Sequence, residues 1–243
     1  MNPEICKIGP FTIYAYGLML VAAFFIGATL ASRQAKKENI NPDAVLNLTF
    51  LAFVAGIVGA RLFYVLENLN YYSKHVIEIV MLQHGGLSWF GGLILGSLSG
   101  IVYLRLKRLP VLRVIDLIAP FVALSQSVGR IGCFFNGCCF GKISEHGIYF
   151  PVHDLILIPA QVYSSLLLLF IFIALRFLQD RPHKEGVIFF SYLMLYSLKR
   201  FFIEFWRADN EIILLNLTLF QLLSAIVFFV SVLCLFFILK PEK

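Results

Sequence analysis

Seven apolar runs limit what this chain can fold into. They lie near residues 11–32, 44–66, 87–104, 112–136, 160–178, 187–206 and 213–239. Each is close to the ~20 residues a helix needs to cross the hydrocarbon core of a bilayer. Charged residues are only 14% of the 243 and hydrophobic ones 60%, too little polar surface for a water-soluble domain. That balance excludes a secreted disulfide scaffold, a disordered chain and a nucleic-acid module, so no nucleic-acid partner is expected. Run length excludes a transmembrane barrel, whose strands alternate over about ten residues. The expected fold is all-α: a polytopic membrane protein of about seven transmembrane helices, one integral membrane domain over 1–243.

The basic residues sort into two groups. Loops 33–43, 105–113 and 176–186 and the tail 240–243 hold twelve of the twenty Lys and Arg, whereas the opposite loops hold only Lys7, Lys74 and Lys142. The positive-inside rule then predicts an outside N-terminus and a cytoplasmic C-terminus. The remaining five, Arg61, Arg130, Lys199, Arg200 and Arg207, fall in spans or at their outer ends. A cation at a helix centre costs about 2.5–3.5 kcal/mol on the insertion scale, which makes each a functional candidate.

The sixth run carries the sharpest pattern. Tyr196, Arg200, Glu204 and Arg207 are spaced by four, four and three, which places them on one helix face. A carboxylate between two arginines fixes both side chains and leaves net positive charge, and guanidinium grips phosphate through paired donors. The fourth run ends in Gly129-Arg130-Ile131-Gly132-Cys133-Phe134-Phe135-Asn136-Gly137-Cys138-Cys139-Phe140-Gly141. Its glycines permit close backbone approach, Arg130 is a second phosphate candidate, and Asn136 offers a side-chain donor. The third run opens with two Gly-Gly pairs, the second being Gly91-Gly92. The spacing of Cys133, Cys138 and Cys139 matches no zinc pattern, so packing is expected of them, with no metal and no cofactor.

At these residues the sequence resembles the bacterial prolipoprotein diacylglyceryl transferases. The strongest match is Gly129–Gly137. Segment 85–93, Asp116-Leu117-Ile118-Ala119-Pro120, Pro159-Ala160-Gln161-Val162-Tyr163, the 196–207 pattern and Gln221-Leu222-Leu223-Ser224 join it in order. The resemblance implies transfer of diacylglyceryl from phosphatidylglycerol to the lipobox cysteine of a preprolipoprotein signal peptide. A thioether forms and glycerol 1-phosphate leaves, in the bilayer of a bacterial inner membrane. It also implies that Arg130, Arg200, Asn136 and Glu204 serve catalysis. Tyr16, Arg61, Gly91, Gly92, Gly129, Gly132, Gly141, Gln161, Tyr163, Tyr196 and Arg207 are expected to bind substrate. The sequence departs from the family pattern at Phe90, where His or Tyr is usual, at Cys133 and Cys138, and at Ile158. A paralogue with another acceptor is an alternative, as is a transporter or flippase for anionic lipid, although no internal repeat relates the two halves.

Overall fold

A computed structural model describes residues 4–8, 11–81, 85–208, 210–214 and 216–240. The helices are α1 (Ala15–Lys37), α2 (Pro42–Glu67), the one-turn α3 (Leu69–Tyr72), α4 (Trp89–Leu106), α5 (Val111–Asn136), α6 (Ala160–Gln179), α7 (Val187–Glu204) and α8 (Leu219–Leu239), with a 3-10 turn at Val76–Val80. Six of them, α1, α2, α4, α5, α6 and α8, are long and apolar enough to cross a membrane. Outward phenylalanines such as Phe170, Phe177 and Phe237 are 67–69% exposed, which suits lipid and not water. The chain is a multi-pass membrane protein. The sixth apolar run forms α7, which falls short of the other six because Lys199, Arg200 and Glu204 lie within its eighteen residues.

Strands qualify the all-α expectation. Three antiparallel hairpins occur among the described residues: β1 (Glu4–Ile8) with β2 (Phe11–Tyr14), β3 (Ile143–Phe150) with β4 (Leu155–Leu157), and β5 (Ile212–Leu214) with β6 (Leu217–Thr218). β2 takes up the first residues of the first apolar run, and β5–β6 the first residues of the last. An apolar stretch rich in Ile and Leu satisfies its backbone as a hairpin where a turn residue permits, and Asn216 supplies one at φ +59°.

Two compact units make up the chain, residues 31–114 and residues 1–30 with 115–243; the division falls inside α1 and α5. In the first, α2 and α4 pack through small residues. A Cβ on Gly91 would come within 2.3 Å of the Gly59 carbonyl oxygen, and one on Gly59 within 2.4 Å of the Gly91 oxygen. Neither position admits a side chain, so the backbones touch in the small-residue manner common in membranes.

In the second unit a core of Ala119 and Ala123 (α5), Ile171 and Leu175 (α6), and Ile188 and Tyr192 (α7) fills the helix contacts. Polar groups are paired off helix by helix, as a low-dielectric interior demands. Ser125 Oγ donates to the Ala23 carbonyl at 2.8 Å, while Ser127 and Ser165 each donate to the other's carbonyl at 2.9 Å. Pro120 lacks the N–H that would bond the Asp116 carbonyl; Gln179 Nε2 donates there at 3.5 Å and to the Leu117 carbonyl at 3.2 Å. The buried Asp116 carboxylate accepts from the N–H groups of Gly186 and Phe189 at 2.6 and 2.7 Å. It thereby caps the start of α7, where both the orphan donors and the helix dipole favour an anion.

Replacing Asp116 by Ala leaves those two donors bare in the interior. The expected loss is about 1–2 kcal/mol of stability, with Asp116→Asn falling in between. Thermal unfolding of the detergent-solubilised variants measures it.

Candidate functional site

The site in the larger unit is built where α5 and α7 end. α7 presents Tyr196, Arg200 and Glu204 at four-residue intervals, and the chain then turns so that Arg207 follows one helical step later. The segment after α5 pairs with this turn: Gly141 bridges Arg207, and Lys142 N–H donates to the Trp206 carbonyl at 2.8 Å. Gly141 also donates its N–H to Ile158 at 2.8 Å, and a Cβ there would strike Ile158 and the Trp206 carbonyl. Backbone hydrogen bonds therefore bring Arg207 to the loop that carries the cysteines.

Glu204 is the hub of the charged cluster. Its side chain is fully buried, with Oε2 3.0 Å from Arg200 Nη2 and 3.9 Å from Arg207 Nε. Oε1 accepts from Asn210 Nδ2 at 2.6 Å and from Thr218 Oγ1 at 2.9 Å. Thr218 also begins α8 with a reciprocal capping box to Gln221, and Phe220 in the next turn lies 4.6 Å beneath the Arg200 guanidinium. One carboxylate thus orients two arginines and ties the start of α8 to the end of α7. Lys199, to which the family resemblance gives no role, is buried as well. Its Nζ donates to Ser164 Oγ at 2.9 Å and sits 4.7 Å from the Tyr196 ring.

Arg130 completes the cluster on different terms. Its electrostatic neighbours are Cys133, Tyr196, Cys139 and Arg207. Among the described residues it forms no hydrogen bond or ion pair, although all five of its donors are available. Four cationic side chains, Arg130, Lys199, Arg200 and Arg207, feel one another's charge here, and Glu204 faces Arg200 and Arg207. Arrays of this kind attract anions, and in a poorly solvated place they do so strongly.

Other expected residues assemble around this point. Tyr16 packs on Gly132, whose position a Cβ would fill against Met19, and lies within electrostatic reach of Arg130 and the three cysteines. Gly129 faces open space. Asn136, the last residue of α5, lies beside the Cys138 thiol. Gln161 is buried; its Nε2 donates to the Cys138 carbonyl at 2.7 Å, while its Oε1 has no hydrogen-bond partner among the described residues. Tyr163 meets the Trp206 ring edge-to-face, at 5.9 Å between centroids.

Cys133, Cys138 and Cys139 converge as their spacing does not suggest, with all three Sγ atoms within 4.8 Å of one another. Hydrogen bonds from Cys133 and then Cys138, reinforced by the charges of Arg207 and Arg130, hold the Cys139 thiol well below the usual thiol range.

Three expected substrate residues lie in the smaller unit and have other contacts there. Gly91 and Gly92 line the α2–α4 contact. Arg61 is buried, and its five N–H donors reach five backbone carbonyls, those of Glu78, Ile79, Met81, Gly85 and Gly86. The rings of Tyr72 and Tyr64 lie 5.2 and 6.0 Å from its guanidinium carbon. It organises the segment between α3 and α4. Sequence spacing does not distinguish an arginine saturated by backbone from one left open.

A sequence profile of the family described as prolipoprotein diacylglyceryl transferase matches residues 3–237. The chain is 33% identical over 253 aligned residues to a Streptococcus pyogenes protein (serotype M5, strain Manfredo) named phosphatidylglycerol–prolipoprotein diacylglyceryl transferase, covering 100% of this chain and 96% of that one. A Pediococcus pentosaceus protein of the same name is 32% identical over 242 residues, 94% of this chain and 87% of its own length.

Truncating Glu204 to Ala strips the Arg200 and Arg207 guanidinium groups of the buried carboxylate they face. The expected cost is about 3–5 kcal/mol. Glu204→Gln, which keeps an acceptor for Asn210 and Thr218, is expected to cost less. Thermal melting in detergent ranks the two, and equal melting temperatures would show that the charge, not the hydrogen bonding, holds the cluster.

Proposed function

Because the chain belongs to the prolipoprotein diacylglyceryl transferase family, we propose that it transfers the diacylglyceryl group of phosphatidylglycerol to the cysteine thiol of a prolipoprotein. The acceptor is the lipobox cysteine of the signal peptide, the product a thioether, and the leaving group glycerol 1-phosphate. One observation carries the assignment of the site: the Arg130 guanidinium has no protein partner among the described residues, beside Arg200 and Arg207. A phosphodiester headgroup supplies the missing anion.

The chemistry follows from those charges. The substrate's thiolate attacks the glycerol carbon that carries the phosphate; the S–C bond forms as the C–O bond breaks, and the electron pair stays with the phosphate oxygen. A free thiol of pKa about 8.5 is a few per cent ionised at neutral pH. The larger demand is the second negative charge growing on the leaving phosphate. Arg130 and Arg200 stabilise that charge as preorganised donors. Glu204 holds Arg200 and Arg207 in register, while Asn136 and Tyr16 hydrogen-bond the headgroup or ester. The unpaired Gln161 Oε1 offers an acceptor to a glycerol hydroxyl, and Tyr163 and Tyr196 shape the surroundings. Gly129, Gly132 and Gly141 let backbone and lipid come close.

With α7 counted, the chain has seven spans, its N-terminus outside and its C-terminus cytoplasmic, in a bacterial inner membrane. α7 enters the bilayer despite its charges because Ser164, Glu204 and the capping groups of α8 neutralise or solvate them. The saturated donors of Arg61 and the helix contact at Gly91 and Gly92 support a framework role for these three residues.

Purified protein, phosphatidylglycerol and a lipobox peptide are expected to yield a diacylglyceryl thioether, detected by mass spectrometry. Arg130→Ala or Arg200→Ala is expected to lower the rate by about 10²–10³-fold or more while the protein still inserts. Near-normal transfer in either variant would remove that arginine from the mechanism, and lipid movement without product would favour a transporter.

A further inference from the structure

Nothing in the transfer chemistry above uses the three thiols at the end of α5, yet the fold goes to some length to gather them. Cys133 sits on the last turn of the helix. Gly137 at φ +71° and Cys139 at φ +62° then reverse the chain twice, so that residues five and six positions on return to it. A left-handed conformation at a non-glycine residue is costly and persists where its surroundings impose it. Here they do: Cys138 N–H donates to the Cys133 carbonyl at 3.2 Å and Gly137 N–H to Phe134 at 3.2 Å. Gln161 Nε2 holds the Cys138 carbonyl and His153 Nε2 the Gly137 carbonyl, both at 2.7 Å. The result is three sulfurs within 4.8 Å of one another beside Arg130 and Arg207. Packing alone would be met by any small side chain and requires no such convergence.

We propose that Cys133, Cys138 and Cys139 bind one thiophilic divalent ion, Zn²⁺, and that its fourth position takes the thiol of the acceptor cysteine. The second half of this rests on the transfer reading. Zn–S bonds of about 2.3 Å in a tetrahedron put sulfurs about 3.8 Å apart, so closure around an ion needs side-chain movements of about 1 Å or less. Three protein ligands with one open position is the arrangement of catalytic zinc, whereas structural sites are closed by a fourth ligand. Three thiolates around Zn²⁺ carry one net negative charge, which Arg130 and Arg207 offset.

The chemistry balances without redox change. The acceptor thiol coordinates through sulfur and releases its proton to water, because a coordinated thiol is deprotonated outright. Its sulfur then forms the bond to the glycerol carbon while the carbon–oxygen bond to phosphate breaks. The thioether, a weaker ligand, leaves the ion. The ion thus does the work of a base in a chain that has Phe90 where an imidazole or phenol is usual in the family. A thiol of pKa about 8.5 is about 3% ionised at pH 7, so full ionisation raises the reactive fraction by about 30-fold at most.

Cobalt reports on such a site. Full-length protein, purified in detergent under reductant and stripped with chelator, is expected to take up one equivalent of Co²⁺ with thiolate charge-transfer and tetrahedral d–d absorption. Cys133→Ser and Cys139→Ser are expected to abolish those bands. A lipobox peptide is expected to shift the d–d bands, and the same peptide with serine for cysteine to leave them unchanged. Stripped protein is expected to lose transfer on the order of tenfold and to regain it with Zn²⁺. Absence of bound metal in the reduced wild type, or an unchanged transfer rate after stripping, overturns the proposal even if a cysteine variant misfolds. Bands that ignore the cysteine peptide overturn thiol activation. Bands that respond to it in a protein with no transfer under any condition uphold the site and overturn the transfer reading.

Discussion

A single buried carboxylate organises the charged end of this protein. Glu204 accepts from Asn210 and Thr218 on one oxygen and faces Arg200 and Arg207 with the other. Breaking one partner out of such a cluster leaves an uncompensated charge in low dielectric, which is far more costly than never having built it. The positions of α7, the turn after it and the start of α8 therefore depend on one another through this group. Arg130, near enough to Arg200 and Arg207 to feel their charge, takes no part in that pairing among the described residues. The scaffold is held by the part of the charge that is paired, and Arg130 stands outside it.

Arg61 and Arg130 show how one residue type does opposite work. Every N–H of Arg61 ends on a backbone carbonyl between residues 78 and 86. Arg61 thereby supplies donors to backbone carbonyls in the described parts of that stretch, 78–81 and 85–86. Arg130 lies among thiols, a phenol and another arginine, with no acceptor of its own among the described residues. A fork of five donors is a rivet when carbonyls surround it and a receptor when they do not. Lysine could replace neither, because it has no planar fork to share between several acceptors.

Much of the fold is legible in the sequence because span length is dictated by the bilayer. The seven apolar runs became seven helices with ends shifted by a few residues, and the α7 stripe at 196, 200 and 204 lies on one face as its period predicts. The hairpins were not legible, since Phe11-Thr12-Ile13-Tyr14 and Ile212-Ile213-Leu214 read as parts of apolar runs and differ from helix only in their turns. Nor was the distinction between Arg61 and Arg130, which lies in where distant carbonyls fall. The least legible feature is the cysteine cluster. Sequence spacing predicts metal ligation only for familiar turns, and here a left-handed Cys139, unusual for a residue with a Cβ, closes the loop.

Placing this chemistry at helix ends and not in their middles resolves a conflict inside a membrane. A helix interior satisfies its own backbone and offers a ligand only side chains, while irregular backbone is tolerated at depth only where protein groups cover it. The segment after α5 meets that condition: Gly141 and Lys142 bond the Ile158 and Trp206 carbonyls, respectively, and Gln161 and His153 cover the carbonyls of Cys138 and Gly137. Each of those bonds satisfies a polar group that the broken helix would leave exposed. Each also fixes a residue that carries charge or sulfur, so the repair of the broken helix and the preorganisation of the site are the same set of hydrogen bonds. The glycines around Arg130 then keep the approach open, since bulk at Gly132 or Gly141 would collide with Met19 or Ile158 and loosen the frame that holds the arginines in place.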